Sequence, residues 1–150
     1  MGRILGLDVG ERRIGVAISD QEGRLAVPLR ILECSSEAAD VRAIAELARA
    51  EGIETLVVGH PVSLAGNAGP QARRVEAFAR LLAEETNLPL ELQDERLTSV
   101  QAERAGRASR GARPRGPKGG RRRRTPADDL AAAIILQSYL DRRRAGGPHP

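Results

Sequence analysis

A chain of 150 residues suits one domain with a real core, and its single cysteine, Cys34, excludes both an intrachain disulfide and a cysteine-built metal cluster. The 24 Lys and Arg outweigh the 20 Asp and Glu to give +4, and every cation but Lys118 is arginine, which grips phosphate through a planar fork and points to nucleic acid or another polyanion. Phe78 and Tyr139 are the only aromatics, which argues against a single-strand binder that stacks bases, and no apolar stretch is long enough to span a membrane.

Arg3-Ile-Leu-Gly-Leu-Asp8 opens the chain as an apolar strand ending at a lone acid. Residues 10–13 reverse the chain, and Ile14, Val16 and Ile18 return with period-two alternation, so this is a β-hairpin. The run begins directly in a strand with no secretory leader, which with the lone cysteine gives a cytoplasmic expectation. Gln21-Glu-Gly23 turns the chain into a third strand over 24–31, where Pro28 marks an edge. Val41, Ile44, Ala45, Leu47 and Ala48 recur at helical spacing over 36–50, and Gly52 closes that helix. Thr55-Leu-Val-Val-Gly59 reads as a buried parallel strand. A loop from His60 leads into a helix over 70–86 with Val75, Phe78, Ala79, Leu81 and Leu82 inward, then a fifth strand over 90–93.

Thr98-Ser-Val-Gln101 has the form of a capping box and starts a further helix that fades near Ser109. A flexible basic segment follows at about 110–124. Thr125-Pro126 caps the last helix, which buries Leu130, Ala131, Ile134, Ile135 and Leu140 and runs to about Arg142. Residues 143–150 read as a disordered tail, leaving 1–142 as one domain. The order β-β-β-α-β-α-β-α predicts an α/β fold: a mixed five-stranded sheet, with a three-strand antiparallel meander and two parallel strands, flanked by helices on both faces.

Three acids stand out. Asp8 lies on the central strand between Gly6 and Gly10, Glu95 at the carboxyl end of the last strand, and Asp128 in the first turn of the last helix. Ligand sites in open α/β sheets form at strand carboxyl ends. Three carboxylates meeting there make an oxygen site suited to Mg2+ or Mn2+, and two such ions can activate water against a phosphodiester. Plainer alternatives exist for each: Asp8 as a turn residue, Glu95 paired with Arg96, Asp128 as a helix-dipole partner with Asp129 as the metal ligand instead. His60 reads as a wall or loop residue and His149 as a solvated one. The candidate phosphate contacts are Arg12 and Arg13 in the hairpin turn, Arg96, and the basic segment with Arg113, Arg115, Lys118, Arg121, Arg122, Arg123 and Arg124. Residues 104–124 carry ten cations and no acid.

Asp8-Val-Gly-Glu-Arg-Arg-Ile-Gly-Val-Ala17, Val57-Val-Gly-His-Pro61, Gly69-Pro-Gln-Ala-Arg73, Asp94-Glu-Arg-Leu-Thr-Ser-Val-Gln-Ala-Glu103 and Asp128-Asp-Leu-Ala-Ala-Ala-Ile-Ile-Leu-Gln-Ser-Tyr-Leu140 together resemble the YqgF/RuvX family, over nearly the whole chain. The resemblance implies the ribonuclease H-like fold and a metal-dependent nuclease that processes the 5′ end of pre-16S rRNA, or alternatively a Holliday junction resolvase acting as a homodimer. The family's acids fall on Asp8, Glu95 and Asp128. The implied partner is nucleic acid, pre-rRNA or branched DNA, and the protein is a monomer or a homodimer. His60 stands where the family usually has Leu, Ala65 where it often has Asp, and Asp129 where a small residue is common. Two other classes compete. The glycine-flanked Asp8 also resembles the phosphate loop of actin-like ATPases and sugar kinases, but those need a second such domain. A non-catalytic module that binds RNA or the ribosome would not require all three acids.

Overall fold

The alternation at the start of the chain becomes two antiparallel strands, β1 (Arg3–Val9) and β2 (Arg13–Ser19). A Cβ at Gly10 would lie 2.8 Å from the Arg13 carbonyl oxygen, to which the Gly10 N–H donates at 2.9 Å, so the turn admits only glycine. β3 (Ala26–Glu33) pairs with β2 and forms one edge of the sheet, as Pro28 requires. The structure, a computed structural model, describes residues 2–62, 68–97 and 126–145. The helix expected from Thr98, the basic segment at 110–124 and the Thr125 cap lie outside the described residues.

β4 (Ile53–His60) runs parallel to β1, and β5 (Leu90–Asp94) runs parallel to β4. The sheet order is β3-β2-β1-β4-β5, so β1 is central and both parallel strands extend one side. Helix α1 (Glu37–Ala50) starts at Ser36, whose hydroxyl accepts from the Ala39 N–H at 3.1 Å, and Gly52 follows it at φ 66°. Helix α2 (Pro70–Thr86) ends on Asn87 in the left-handed region at φ 60°. A single 3-10 turn, Glu95–Leu97, follows β5. Helix α3 (Pro126–Ala145) closes the described fold, so residues 143–145 are helical rather than part of a tail.

The two sides of the sheet are packed differently. On one, α1 and α2 bury large apolar side chains: Leu5, Leu7, Ile14 and Val16 meet Ile44, Val75, Phe78 and Leu82. On the other, among the described residues, α3 packs Ala131, Ala132, Ala133, Ile135, Leu136 and Leu140 against Ile4, Ala17 and Val57. Close approach is possible because a Cβ at Gly6 would fall 2.7 Å from the Leu136 Cβ. Gln137 ties α3 to β3: its side-chain oxygen accepts from the Ala26 N–H at 2.8 Å and its nitrogen donates to the Arg24 carbonyl at 2.9 Å. Two expected core residues are outside: Leu81 is 39% exposed and Leu130 is 44% exposed. The true contacts are Ala72 on α2, and Leu136 and Tyr139 on α3.

Candidate active site

Asp8 is the next-to-last residue of β1, so its position is at the carboxyl end of the central strand. Alternation puts it on the α3 side with Ile4 and Gly6. Its partner on β2 is Gly15. The parallel register pairs Leu7 with Val58, and one further step sets Asp8 beside Gly59. Both strand neighbours of this carboxylate are therefore glycines, and the sheet has a gap in its side-chain layer there.

Glu95 fills part of that gap. It follows the last residue of β5, is only 2% exposed, and turns back over β4: a Cβ on Gly59 would stand 2.8 Å from its Oε2 and 2.5 Å from the Ile135 Cδ1. Burial of a carboxylate is costly unless something compensates it. Neighbouring strands are about 4.8 Å apart, so the Glu95 carboxylate lies over the position next to Asp8. Two of the three expected acids thus share one side of one sheet edge. Asp128 and Asp129 lie in the first turn of α3, and their side chains are outside the described part. Among the described residues no group of three His, Cys, Asp or Glu side chains is placed to hold a metal.

The edge is held from the other side of the sheet. Gln71, in the first turn of α2, donates to the Val9 carbonyl at 3.1 Å and fixes the end of β1. His60, at the end of β4, faces α2, where its Nε2 lies 2.7 Å from Glu76 Oε2, away from the acids. Arg96 forks onto Asp94 at 2.6 to 3.1 Å. That guanidinium holds the Asp94 carboxyl below the usual carboxylate range. Arg12 and Arg13 are exposed in the β1–β2 turn, at the same end of the sheet as Asp8. Arg113, Arg115, Lys118, Arg121, Arg122, Arg123 and Arg124 lie outside the described residues, as does Ala65. The sequence alone did not mark out Gly59 or Gln71. The signal for Gly59 was present, a glycine closing an otherwise bulky buried strand.

Residues 2–142 match the RuvX family, described as a Holliday junction resolvase family. The chain belongs to the RuvX family. A relative from Chloroflexus aggregans, provisionally named a pre-16S rRNA nuclease, is 47% identical over 141 residues, 94% of each chain. Another from Moorella thermoacetica, under the same provisional name, is 47% identical over 145 residues, 97% of this chain and 99% of its own. Among solved structures, T. thermophilus RuvC in complex with a Holliday junction substrate is similar with TM-score 0.59 at 20% identity, covering 100% of this chain and 99% of that one. That likeness is one of fold, and it bears out the ribonuclease H-like sheet expected for a RuvX protein. The nuclease class implied by the motifs is likewise that of the family.

Proposed function

We propose that this RuvX protein is a metal-dependent endonuclease that processes the 5′ end of pre-16S rRNA in the cytoplasm. The observation that carries the reading is the buried Glu95 carboxylate turned over Gly59 on the side of the sheet that bears Asp8. The glycine gap leaves space a side chain would fill, and an all-oxygen donor set suits a hard divalent cation. Asp8, Glu95 and Asp128 would hold Mg2+ or Mn2+, with Asp129 as the alternative on α3. When bound, such an ion makes a metal-bound water acidic enough to attack and steadies the leaving oxygen.

The chain's own residues do the rest. Gly59 lets the Glu95 carboxylate and Ile135 settle directly over β4, on the face that bears Asp8. Gln71 and the Gly10 turn fix the strand end that carries Asp8. Arg12 and Arg13 supply positive charge at the rim, and the ten cations of residues 104–124 add a phosphate grip. Arg96 contributes through its fork on Asp94, which orders the turn holding Glu95. The relatives' provisional names favour pre-rRNA; the family description favours a four-way DNA junction, which calls for a homodimer presenting two sites. Purified protein is incubated with a precursor rRNA fragment and with a synthetic junction, each with Mg2+, Mn2+ or chelator. Metal-dependent cleavage of the RNA by a monomer supports the reading. Symmetric cutting of the junction alone by a dimer replaces it, and cleavage unaffected by chelator removes the metal.

A further inference from the structure

A groove of about 310 Å3 runs along the outer edge of β5 beneath the last turns of α3, lined by Glu91, Gln93, Asp94, Tyr139, Arg142 and Arg143. One of its cations is held by an amide, as Arg74 is by Gln71, rather than by a carboxylate. Arg3, Arg13, Arg24 and Arg96 each lie against a carboxylate, Glu51, Glu33, Glu22 and Asp94 respectively. Arg142 instead donates to the amide oxygen of Gln93 at 3.1 Å, and among the described residues no carboxylate pairs with it. Gln93 is itself buried, and its nitrogen donates to Ser138 Oγ at 3.3 Å, so the amide presents its oxygen in a set direction. An amide orients a guanidinium without neutralising it. Beside it, the Arg143 guanidinium lies 5.5 Å from the centre of the Tyr139 ring.

Of the acids in the groove, Asp94 is neutralised by Arg96, while Glu91 keeps its charge and accepts from the Tyr139 hydroxyl at 3.1 Å. Cations in a last helical turn also suit the helix dipole. That accounts for arginines at the end of α3, but not for a buried amide turned onto one of them. Position supplies the rest. Gln93 and Glu95 both face α3, two residues apart, which is about 7 Å along a strand. Duplex nucleic acid carries one charge about every 3.4 Å of axis on each strand. The guanidinium that Gln93 holds is therefore a few phosphates from the acids.

We infer that the β5–α3 groove is a phosphate subsite for the substrate strand flanking the cleaved bond, with Arg142 as its positioned guanidinium and Gln93 as the residue that positions it. The subsite rests on the nuclease reading for its substrate but not for its binding chemistry. It takes the sugar–phosphate backbone and reads no base. The positive charge is available to phosphate because its partner is neutral, and arginine's fork matches two phosphate oxygens at once.

The test uses the full chain with chelator present, so that binding is read without cleavage. Labelled RNA and junction DNA are compared at several salt concentrations, each as a long substrate and as one trimmed back to the cleavage position. Arg142→Ala should weaken binding of the long substrate about fivefold and reduce the slope of log affinity against log salt by about one. The trimmed substrate should bind both proteins alike. Gln93→Glu is the sharper variant: it keeps the shape, lets Ser138 donate in return, and puts a carboxylate on Arg142. It should mimic Arg142→Ala and add nothing to it in the double variant, with a melting temperature near that of the parent. Equal losses on long and trimmed substrates, or a Gln93→Glu variant that binds as the parent does, overturn the subsite. If long-substrate binding falls as stated but the parent never cleaves, the subsite stands and the nuclease reading fails. If the parent cleaves and Arg142→Ala is indistinguishable from it, the reverse holds.

Discussion

The two sides of the sheet solve different problems. Under α1 and α2 the sheet presents Leu5, Leu7, Ile14 and Val16, and two helices seal it with Ile44, Val75, Phe78 and Leu82. Under α3 it presents Gly6, Ala17, Gly15 and Gly59, and the helix answers with three consecutive alanines. The first side maximises apolar burial, the main favourable contribution to folding. The second gives up that volume, bringing the helix close, and it is the face that bears Asp8 and the Glu95 carboxylate over Gly59. On the proposed reading, stability and chemistry are separated by the thickness of one sheet, and substitutions on the two sides should have different signatures.

The largest effect tests the sealed side. Leu82→Ala removes a fully buried side chain and should cost about 2–5 kcal/mol of unfolding free energy in urea titrations. Cleavage per folded molecule should stay at the parental rate; a parallel collapse of kcat in protein shown to be folded would break the separation. Asp8→Asn tests the open side. Cleavage should fall by at least about two orders of magnitude, ~2.7 kcal/mol in barrier, because a neutral oxygen is a poorer ligand for a hard cation. The melting temperature should hold or rise, as active-site groups often trade stability for function. An Asn variant that still cleaves near the parental rate returns Asp8 to a turn-forming role.

Gly59→Ala lies on the boundary between the two requirements. Its Cβ must displace Glu95 and Ile135, so cleavage should drop about tenfold, about 1.4 kcal/mol, with a stability loss of about 1 kcal/mol. A loss of stability with no loss of rate would show that the carboxylate over Gly59 is not poised for chemistry. The smallest effect belongs to neither side. In the β2–β3 turn, Asp20 Oδ1 accepts from the Arg24 N–H at 2.8 Å and from the Leu25 N–H at 3.3 Å, and the first of these leads in holding its carboxyl below the usual value. A lowered folded pKa adds stability that is complete above the ordinary carboxylate range and is lost as pH falls through the lowered value. Melting curves of the parent and of Asp20→Ala should therefore differ slightly near neutrality and converge in acid, with cleavage untouched. A gap that persists at the lowest pH would assign the difference to packing.

The same division governs what could be read from the sequence. Where side chains are large and one face is polar, periodicity sets the phase: all five inward residues expected on α1 are buried. On α2 the adjacent pair Leu81 and Leu82 offered two candidates for one slot, and only Leu82 took it. On α3 the run from Leu130 to Leu136 is apolar on nearly every side, so pattern alone left its rotation open. The phase is decided by Gly6, which admits Leu136 and turns Leu130 outward. Asp8 stood out because an acid amid an apolar strand demands a reason, and Glu95 because it stands at the carboxyl end of the last strand. Gly59 and Gln71 did not, since their roles depend on a cross-strand neighbour and on a carbonyl 62 residues away. The Arg96 fork on Asp94 was not legible for a similar reason: two acids precede it, and the fork depends on the geometry of the turn.

The latch between Gln137 and the backbone of β3 joins residues 111 positions apart. A ribosome adds about 5–20 residues per second, so roughly 5 to 20 seconds separate the making of β3 from the helix that fastens to it. During that interval the sealed side of the sheet can assemble from α1, α2 and the strands, while Ile4, Ala17 and Val57 wait uncovered. The helix that covers them is also the one that carries Asp128. A copy of the protein that ends before α3 therefore lacks the helix that covers Ile4, Ala17 and Val57, and half of the sheet's packing is added only as synthesis closes.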